Sequence, residues 1–412
     1  MRMPKPTVLI VGGGVAGLTA ALELARFEVH SEVVESSPFA GGYAIGFSCK
    51  ATDACVRCGA CLAEDRLQSA VEAPEIRLLP SSRVTELERA NGSFPTVVLR
   101  SPRFVDPDRC TGCGHCLDAC PEGAVQMAPS PFNRPPVAVD PDRCVRFAGG
   151  DCRDCLDACP ESALDFDREE ERLALEADAV ILASGFRAFD PRDKPYGYGV
   201  LEDVITNLDL ERMLREQGGP TRPSDGRPPR SVAFVQCVGS RDERLGHLWC
   251  SRVCCGSALR IARRLRFEAP EVEVTVFYID IQTFGRDFDA AWEALRREFR
   301  FVRAIPADAV LAGDRRVRVG YFDPETGSPD ALDVDLLVLS VGLTPGGDLV
   351  RTADLLGLGC GEDGFVEPGD SGRRRPAGVT AAGTVLGPMG ILDAVKSGKA
   401  SAWRTLGHLG LV

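Results

Sequence analysis

Two cysteine runs in the middle of this chain restrict its fold more than any other feature. VDPDRC occurs at Val105 to Cys110 and again at Val139 to Cys144, which marks an internal repeat. The first copy continues as Cys110-x2-Cys113-x2-Cys116-x3-Cys120-Pro121, and the second as Cys144-x7-Cys152-x2-Cys155-x3-Cys159-Pro160. Two-residue spacers let successive thiolates converge on one iron–sulfur cubane, and the cysteine before each proline reaches the other cluster. One 4Fe–4S cluster is therefore expected on Cys110, Cys113, Cys116 and Cys159, and a second on Cys144, Cys152, Cys155 and Cys120. A zinc ribbon or structural thiols are the competing readings. The paired pattern favours clusters over both.

This unit, about residues 104–167, interrupts a chain that reads as nucleotide-binding on either side. PTVLIVGGGVAGLTAALELARFEVHSEVVES gives a strand at Thr7 to Val11, then Gly12-x-Gly14-x-x-Gly17, a helix from Ala16 to about Arg26, and a strand from Ser31 to Glu35. Gly12 permits the tight turn, Gly14 the approach of a pyrophosphate and Gly17 close helix packing. Glu35 stands where an acid hydrogen-bonds a ribose hydroxyl. Three later pieces point to FAD rather than NAD: Gly41-Gly42, AVILASG (Ala179 to Gly185) and GVTAAG (Gly378 to Gly383) with a helix from about Met389. The expected FAD set is Gly12, Gly14, Val15, Ala16, Gly17, Glu35, Gly41, Gly42, Ala183, Ser184, Gly185, Gly342, Gly383 and Thr384. These pieces span the chain, so the FAD domain is discontinuous. Its parts are 1–103, 168–227 and 326–412.

A further cysteine set lies nearer the N-terminus, at Cys49-x5-Cys55-x2-Cys58-Gly59-x-Cys61. Its CxxCGxC core repeats the surroundings of Cys113, but no CP follows. A 4Fe–4S cluster, a redox dithiol and zinc all remain open for it, and so does its fourth ligand.

Residues 228–325 again alternate strand and helix: RSVAFVQ, SALRIARRLRF and EVTVFYIDI. Where a nicotinamide-binding domain carries GxGxxG, this one carries Cys237-Val238-Gly239-Ser240, and its helix begins near Cys254-Cys255. Thiolates there are favoured by the helix dipole and free amides, as an anion is. A cluster in the nucleotide's place is physically reasonable.

The composition excludes several classes. The chain has 412 residues, room for two or three domains, with 48 basic and 60 acidic side chains and a net charge of −12. That argues against a general nucleic-acid or anionic-membrane surface. The arginines at 373–375 read as a solvated loop. The longest apolar runs, such as DLLVLSVGL, fall far short of the ~20 residues a bilayer requires, and no signal peptide is visible, so the cytoplasm is expected. Seventeen cysteines in such a compartment imply metal or redox chemistry rather than disulfides. The four histidines, at 30, 115, 247 and 408, are too scattered for a triad. Cys360 belongs to no set and reads as a single buried thiol near a turn.

The spacing Cys237-x12-Cys250-x3-Cys254-Cys255 resembles the family of the flavin-containing A subunits of heterodisulfide reductase. VGGGVAGLTAALELA, SPRFVDPDRCTGCGHC, YGYG, RPSDGRPPRSVAFVQCVGSRD, YIDI and DLLVLSVGLTP extend the resemblance over nearly the whole chain. It implies an α/β flavoprotein with two dinucleotide-binding domains, thioredoxin-reductase-like and Rossmann-type, with an inserted two-cluster ferredoxin-like α+β domain. It also implies an unusual 4Fe–4S cluster on Cys237, Cys250, Cys254 and Cys255, near the flavin. The larger members carry further N- and C-terminal iron–sulfur regions, and the set Cys49, Cys55, Cys58 and Cys61 is richer than their pattern.

The expected function is an electron-transfer subunit of a cytosolic multi-subunit oxidoreductase. It holds FAD and three 4Fe–4S clusters, or four if the Cys49 set is one, and the resemblance allows flavin-based electron bifurcation. No side-chain acid–base constellation is visible, so no catalytic residue is named. Expected partners are redox subunits resembling the B and C subunits of heterodisulfide reductase, ferredoxin, and hydrogenase- or dehydrogenase-linked donors, in a hetero-oligomer with a dimeric core as an option. The rival readings are an NAD(P)H-dependent flavoprotein of the glutamate synthase or thioredoxin reductase kind, and a non-enzymatic scaffold.

Overall fold

The computed structural model describes residues 5–90, 92–282, 288–367 and 376–412; the arginines at 373–375 lie outside them. Strand Thr7–Val11 is the centre of a five-stranded parallel sheet in the order Val379–Ala381, Ala179–Leu182, Thr7–Val11, His30–Val34, Ile76–Leu79. A parallel sheet is covered on both faces, which is why its central strands, VLIV of Thr7–Val11 and AVIL of Ala179–Leu182, are aliphatic. Val8, Ile10, Val180 and Ile181 are completely buried. Helix Val15–Ala25 covers one face and crosses helix Ile391–His408. A Cβ on Gly398 would come within 2.4 Å of the Ala16 carbonyl oxygen, so glycine permits that crossing.

A second parallel sheet runs Val204–Thr206, Leu336–Val341, Ser231–Val238, Glu273–Phe277, Arg300–Val302. Helix Cys254–Glu268 packs Ala258, Leu259, Ile261 and Leu265 onto the face that carries Val232, Phe234, Leu336 and Val338. The strand read over EVTVFYIDI ends at Phe277. Tyr278 to Ile281 instead form a loop at the sheet's carboxyl edge. An antiparallel meander of Asp308–Leu311, Val317–Asp323 and Ser328–Val334 follows. Segments Phe186–Ala188 and Leu343–Pro345 pair antiparallel where the chain passes between the two sheets.

The cysteine repeat leaves and re-enters at one place. Strands Phe94–Arg100 and Glu171–Ala177 are antiparallel neighbours, and the intervening residues form a small unit beyond their ends. Val105 and Leu164 bridge at its base, and Val125–Met127 pairs with Val137–Val139. Two short helices, His115–Asp118 and Asp154–Asp157, each carry the third cysteine of a run as their second residue. The repeated sequence CLDACPE therefore folds the same way twice. Asn133 fastens the unit to the flavin-type domain. It accepts from the Ala40 amide at 2.8 Å and donates to the Ala40 carbonyl at 3.2 Å, both buried.

Candidate functional site

The glycines read as an FAD cradle meet at the carboxyl ends of the first sheet. Gly12 has φ +115°, and a Cβ there would lie 2.2 Å from the Ala183 carbonyl oxygen and 2.7 Å from the Ser184 amide. A Cβ on Gly17 would meet the Gly12 carbonyl at 1.9 Å, so the first helix starts hard against the turn. Gly14 bridges Gly41, and the amide of Gly41 donates to the Gly13 carbonyl at 2.8 Å. Gly383, at φ +74°, approaches Ala16, while Thr384 faces Gly185. The amide ends of Val15 and Ala16 open the helix Val15–Ala25 at this point, which is where a helix receives a pyrophosphate. Glu35 accepts from the amides of Gly13 and Ser37, each at 2.8 Å, so it braces the loop beside the ribose position. The backbone pocket built by these close approaches fits a dinucleotide. Gly342 is placed elsewhere: it packs against Ser240 and Ser251, in the cysteine-bearing loop of the second domain.

Within the inserted unit the thiols form two groups. Burial pushes the Cys116 thiol up to about 11, and Cys159, Cys110 and Cys113 around it add to the effect. Burial likewise pushes Cys155 up to about 11, reinforced by Cys120, Cys144 and Cys152. The neighbours of Cys116 are the other three of its expected set, and those of Cys155 are its own three together with Cys116. A cavity lined by Cys120, Cys144, Cys152 and Cys155, together with Val125, Val139 and Phe166, lies at the second set. The Ala124 amide donates to Cys120 Sγ at 3.2 Å, and the Ala163 amide donates to Cys159 Sγ at 3.3 Å. Such bonds from backbone to sulfur tune a bound cluster. All of these cysteines are free thiols. Holding four such thiols together as thiolates requires a positive centre between them, and an iron–sulfur cubane would supply it. Among the described residues no three His, Cys, Asp or Glu side chains gather for a single ion; a cubane spreads its thiolates over four irons.

In the second domain, Cys237 is the penultimate residue of strand Ser231–Val238 and takes φ +61° within the bulge between Val235 and Val238. Burial raises its thiol to about 11, with Cys255 and Cys250 contributing and Arg241 opposing. Burial also raises Cys254, which has Cys237, Cys255 and Cys250 as neighbours. Cys254 thus has the other three thiols as neighbours, and Cys254 and Cys255 open their helix, the kind of helix end at which a dinucleotide-binding domain receives a phosphate. Arg241 and Asp280 pair at 2.5 Å beside them. The loop is tied to the inter-sheet segment: Trp249 Nε1 donates to the Leu343 carbonyl at 3.0 Å, and the Leu343 amide donates to Ser251 Oγ at 2.8 Å.

The Cys49–Cys61 segment is more open. Cys49, Cys55 and Cys61 are exposed and Cys58 is half-buried. Gly59 packs on Ile391 and Leu392, at the amino end of the helix that points toward the flavin position. Cys55 and Cys250 share a local geometry. In each case an arginine two residues on takes positive φ (Arg57 +50°, Arg252 +62°) and donates its amide to the sulfur, at 3.4 Å and 3.2 Å. Cys360 is half-buried, with its thiol pushed up by burial and by nearby Asp354.

One ion pair has no signature in the sequence. Lys50 and Glu211 lie 2.5 Å apart with side chains only 4% and 3% exposed. Glu211 also accepts from the Ser48 amide (3.1 Å), Ser48 Oγ (2.9 Å) and Ser257 Oγ (3.4 Å). The residue after Cys49 is thereby locked to helix Asn207–Glu216 and, through Glu211, to helix Cys254–Glu268, both of which pack on the second sheet, so the boundary expected at 227/228 falls inside one packed unit. Nearby, a cavity of about 270 Å³ opens between Tyr43 and Phe47 on one side and Phe189, Tyr198 and Val341 on the other.

Comparison with known proteins bears on two parts of the chain and on the fold. Residues 109–163 match the 4Fe-4S dicluster domain family, and residues 10–60 match the NAD(P)-binding Rossmann-like domain family. The chain is 34% identical to the A subunit of the H2:CoB-CoM heterodisulfide,ferredoxin reductase of Methanothermobacter marburgensis, over 96% of this chain and 63% of that one. It is 35% identical to the A subunit of the ferredoxin/F420H2-dependent CoB-CoM heterodisulfide reductase of Methanosarcina acetivorans, over 98% of this chain and 53% of that one. The chain thus spans just over half to just under two thirds of these relatives. Among solved structures, the thioredoxin reductases of T. acidophilum and Lactococcus lactis each share the fold, at TM-score 0.55 and 15% identity. They cover 98% and 99% of this chain, and this chain covers 99% and 100% of theirs.

Proposed function

We propose that this chain, which resembles the A subunits of heterodisulfide reductases, is the flavin and iron–sulfur electron-transfer subunit of a multi-subunit oxidoreductase. The observation that carries the reading is the convergence of Cys237, Cys250, Cys254 and Cys255 at the phosphate position of the second dinucleotide fold. A site filled by thiols cannot cradle a nicotinamide pyrophosphate, so electrons reach this domain through a cluster.

Bound FAD supplies the exchange between two-electron and one-electron chemistry. The chain's own residues do the rest. Gly12, Gly14, Gly41, Gly42, Gly185 and Gly383 leave the backbone bare for the dinucleotide. Cys110, Cys113, Cys116 and Cys159 hold one 4Fe–4S cluster, and Cys120, Cys144, Cys152 and Cys155 hold another. The Cys237 set holds a third. The turn shared by Cys55 and Cys250 supports a fourth on Cys49, Cys55, Cys58 and Cys61, at the edge of the flavin. Asn133 keeps the inserted clusters beside Ala40 and Gly41. The substrate is met by a partner protein, and bifurcation at the flavin is the finer form of this reading.

The test is anaerobic reconstitution of the whole chain, with FAD, iron and sulfide counted and spectra taken by low-temperature EPR. The expected result is one FAD with 4Fe–4S signals and no rapid reduction by NADH or NADPH. Rapid bleaching by either nucleotide supports the nicotinamide reading instead, and a colourless zinc-loaded chain defeats electron transfer.

A further inference from the structure

Gln236 immediately precedes Cys237, and its side chain is buried to 5% exposure. Neither its Oε1 nor its Nε2 finds a hydrogen-bond partner among the described residues. Leaving both halves of a carboxamide unpaired in a protein interior costs free energy that native structures almost always avoid. Ser340, 1% exposed, has a hydroxyl in the same condition. The two belong together. Strand alternation puts Gln236 on the face of Val232 and Phe234, and Ser340 on the face of Leu336 and Val338 in the adjoining strand. Helix Cys254–Glu268, whose first turn contains Cys254 and Cys255, packs on that face. Cys254 Sγ is 3.8 Å from the carbonyl of Val341, the residue after Ser340.

Two other polar side chains around these helices and strands are already engaged. Glu211 is saturated by Lys50, Ser48 and Ser257. Asn207 Oδ1 accepts from the Val341 amide at 2.9 Å. Each half of the Gln236 carboxamide therefore lacks a partner among the described residues, and the one Nε2 needs is an acceptor, next to four thiols. We propose that Gln236 Nε2 and Ser340 Oγ donate hydrogen bonds to the cluster held by Cys237, Cys250, Cys254 and Cys255, and thereby set its reduction potential. Donors aimed at cluster sulfur stabilise the extra negative charge of the reduced form, so they raise the potential. Both are positioning residues that adjust the cluster without ligating it, and the proposal rests on the cluster reading given above.

EPR-monitored redox titration of the anaerobically purified whole chain tests it, comparing wild type with Gln236→Leu and Ser340→Ala. One cluster midpoint should move to more negative potential in both variants, further in Gln236→Leu, with iron content, FAD content and the remaining midpoints unchanged. Unmoved cluster midpoints, or a shift in the flavin midpoint alone, overturn the proposal. If Gln236→Leu loses a cluster outright, Ser340→Ala decides, because it removes one oxygen and little volume. Cys237→Ala separates the two levels of inference. If it leaves iron unchanged, the cluster reading has failed. If it removes one cluster while Gln236→Leu and Ser340→Ala leave every midpoint in place, only the hydrogen-bond proposal has failed.

Discussion

Replacing Lys50 by methionine strands a carboxylate. Glu211 sits at 3% exposure, and its charge is balanced by one ammonium at 2.5 Å and three weaker donors from Ser48 and Ser257. Removing one partner of a buried pair costs about 3–5 kcal/mol, because the other charge is left uncompensated. Loss of the ammonium over the Phe47 ring, 5.4 Å from its centroid, adds a smaller amount. The pair joins the Ser48–Lys50 segment to helix Asn207–Glu216, so the cost falls on the docking of the two dinucleotide domains. At 1.36 kcal/mol per tenfold, docking should weaken by roughly 150- to 5,000-fold. Native-state hydrogen exchange of the holo chain reads this directly, as faster exchange around Ser48 and along Asn207–Glu216. Lys50→Met combined with Glu211→Leu should recover most of the loss, since an apolar pair of similar volume is neutral or better. Acceleration below about tenfold in the single variant, or a double variant as labile as the single, refutes the argument.

Three other outcomes follow from the geometry. Gly17→Ala should lose FAD and flavin absorbance, because its Cβ cannot occupy space 1.9 Å from the Gly12 carbonyl oxygen. Cys159→Ala should remove the cluster shared with Cys110, Cys113 and Cys116 and leave the Cys120 set loaded; iron and sulfide assay with EPR distinguishes this from loss of both. The iron-free chain should lose stability in alkali. Burial raises Cys116, Cys155 and Cys237 from 9.0 to about 11, so folding favours their protonated forms. That contribution is fully present below pH 9 and disappears as pH rises through about 11. The cluster-loaded chain, whose thiols are already bound as thiolates, should not show that decline in urea unfolding at pH 8 to 11.

The cysteine and glycine chemistry was legible in the sequence because it is local. CxxCxxCxxxCP places thiols by chain geometry alone, and GxGxxG needs only one strand and one helix around it. The parallel strands were legible for the same reason, as short β-branched runs buried on both faces. The limits of strands were less so: Tyr278 to Ile281 look like strand by composition, but the chain turns at the sheet edge to reach Asp280's partner, Arg241. Lys50 and Glu211 stand outside any pattern, because their meeting depends on how two domains dock. Gln236 heads a cysteine-rich stretch, yet its burial without partners is a property only of the folded chain. Gly342 lies in an apolar run that reads as flavin-directed, while tertiary packing turns it toward Ser240 and Ser251.

The way the cysteine unit is mounted has a consequence for how such chains are assembled. Arg100 and Glu171 face each other across neighbouring antiparallel strands, so the unit hangs from the open end of what would otherwise be a simple hairpin. Excising residues 101–170 and closing the gap with an Asn-Gly turn asks nothing new of the surrounding sheet, since two-residue turns of that kind suit the twist of paired strands. The cost falls instead at Asn133, whose loss leaves the buried Ala40 amide and carbonyl without their partner. A gene could acquire the unit, lose it or exchange it in one event, and the flavoprotein frame would keep its register throughout.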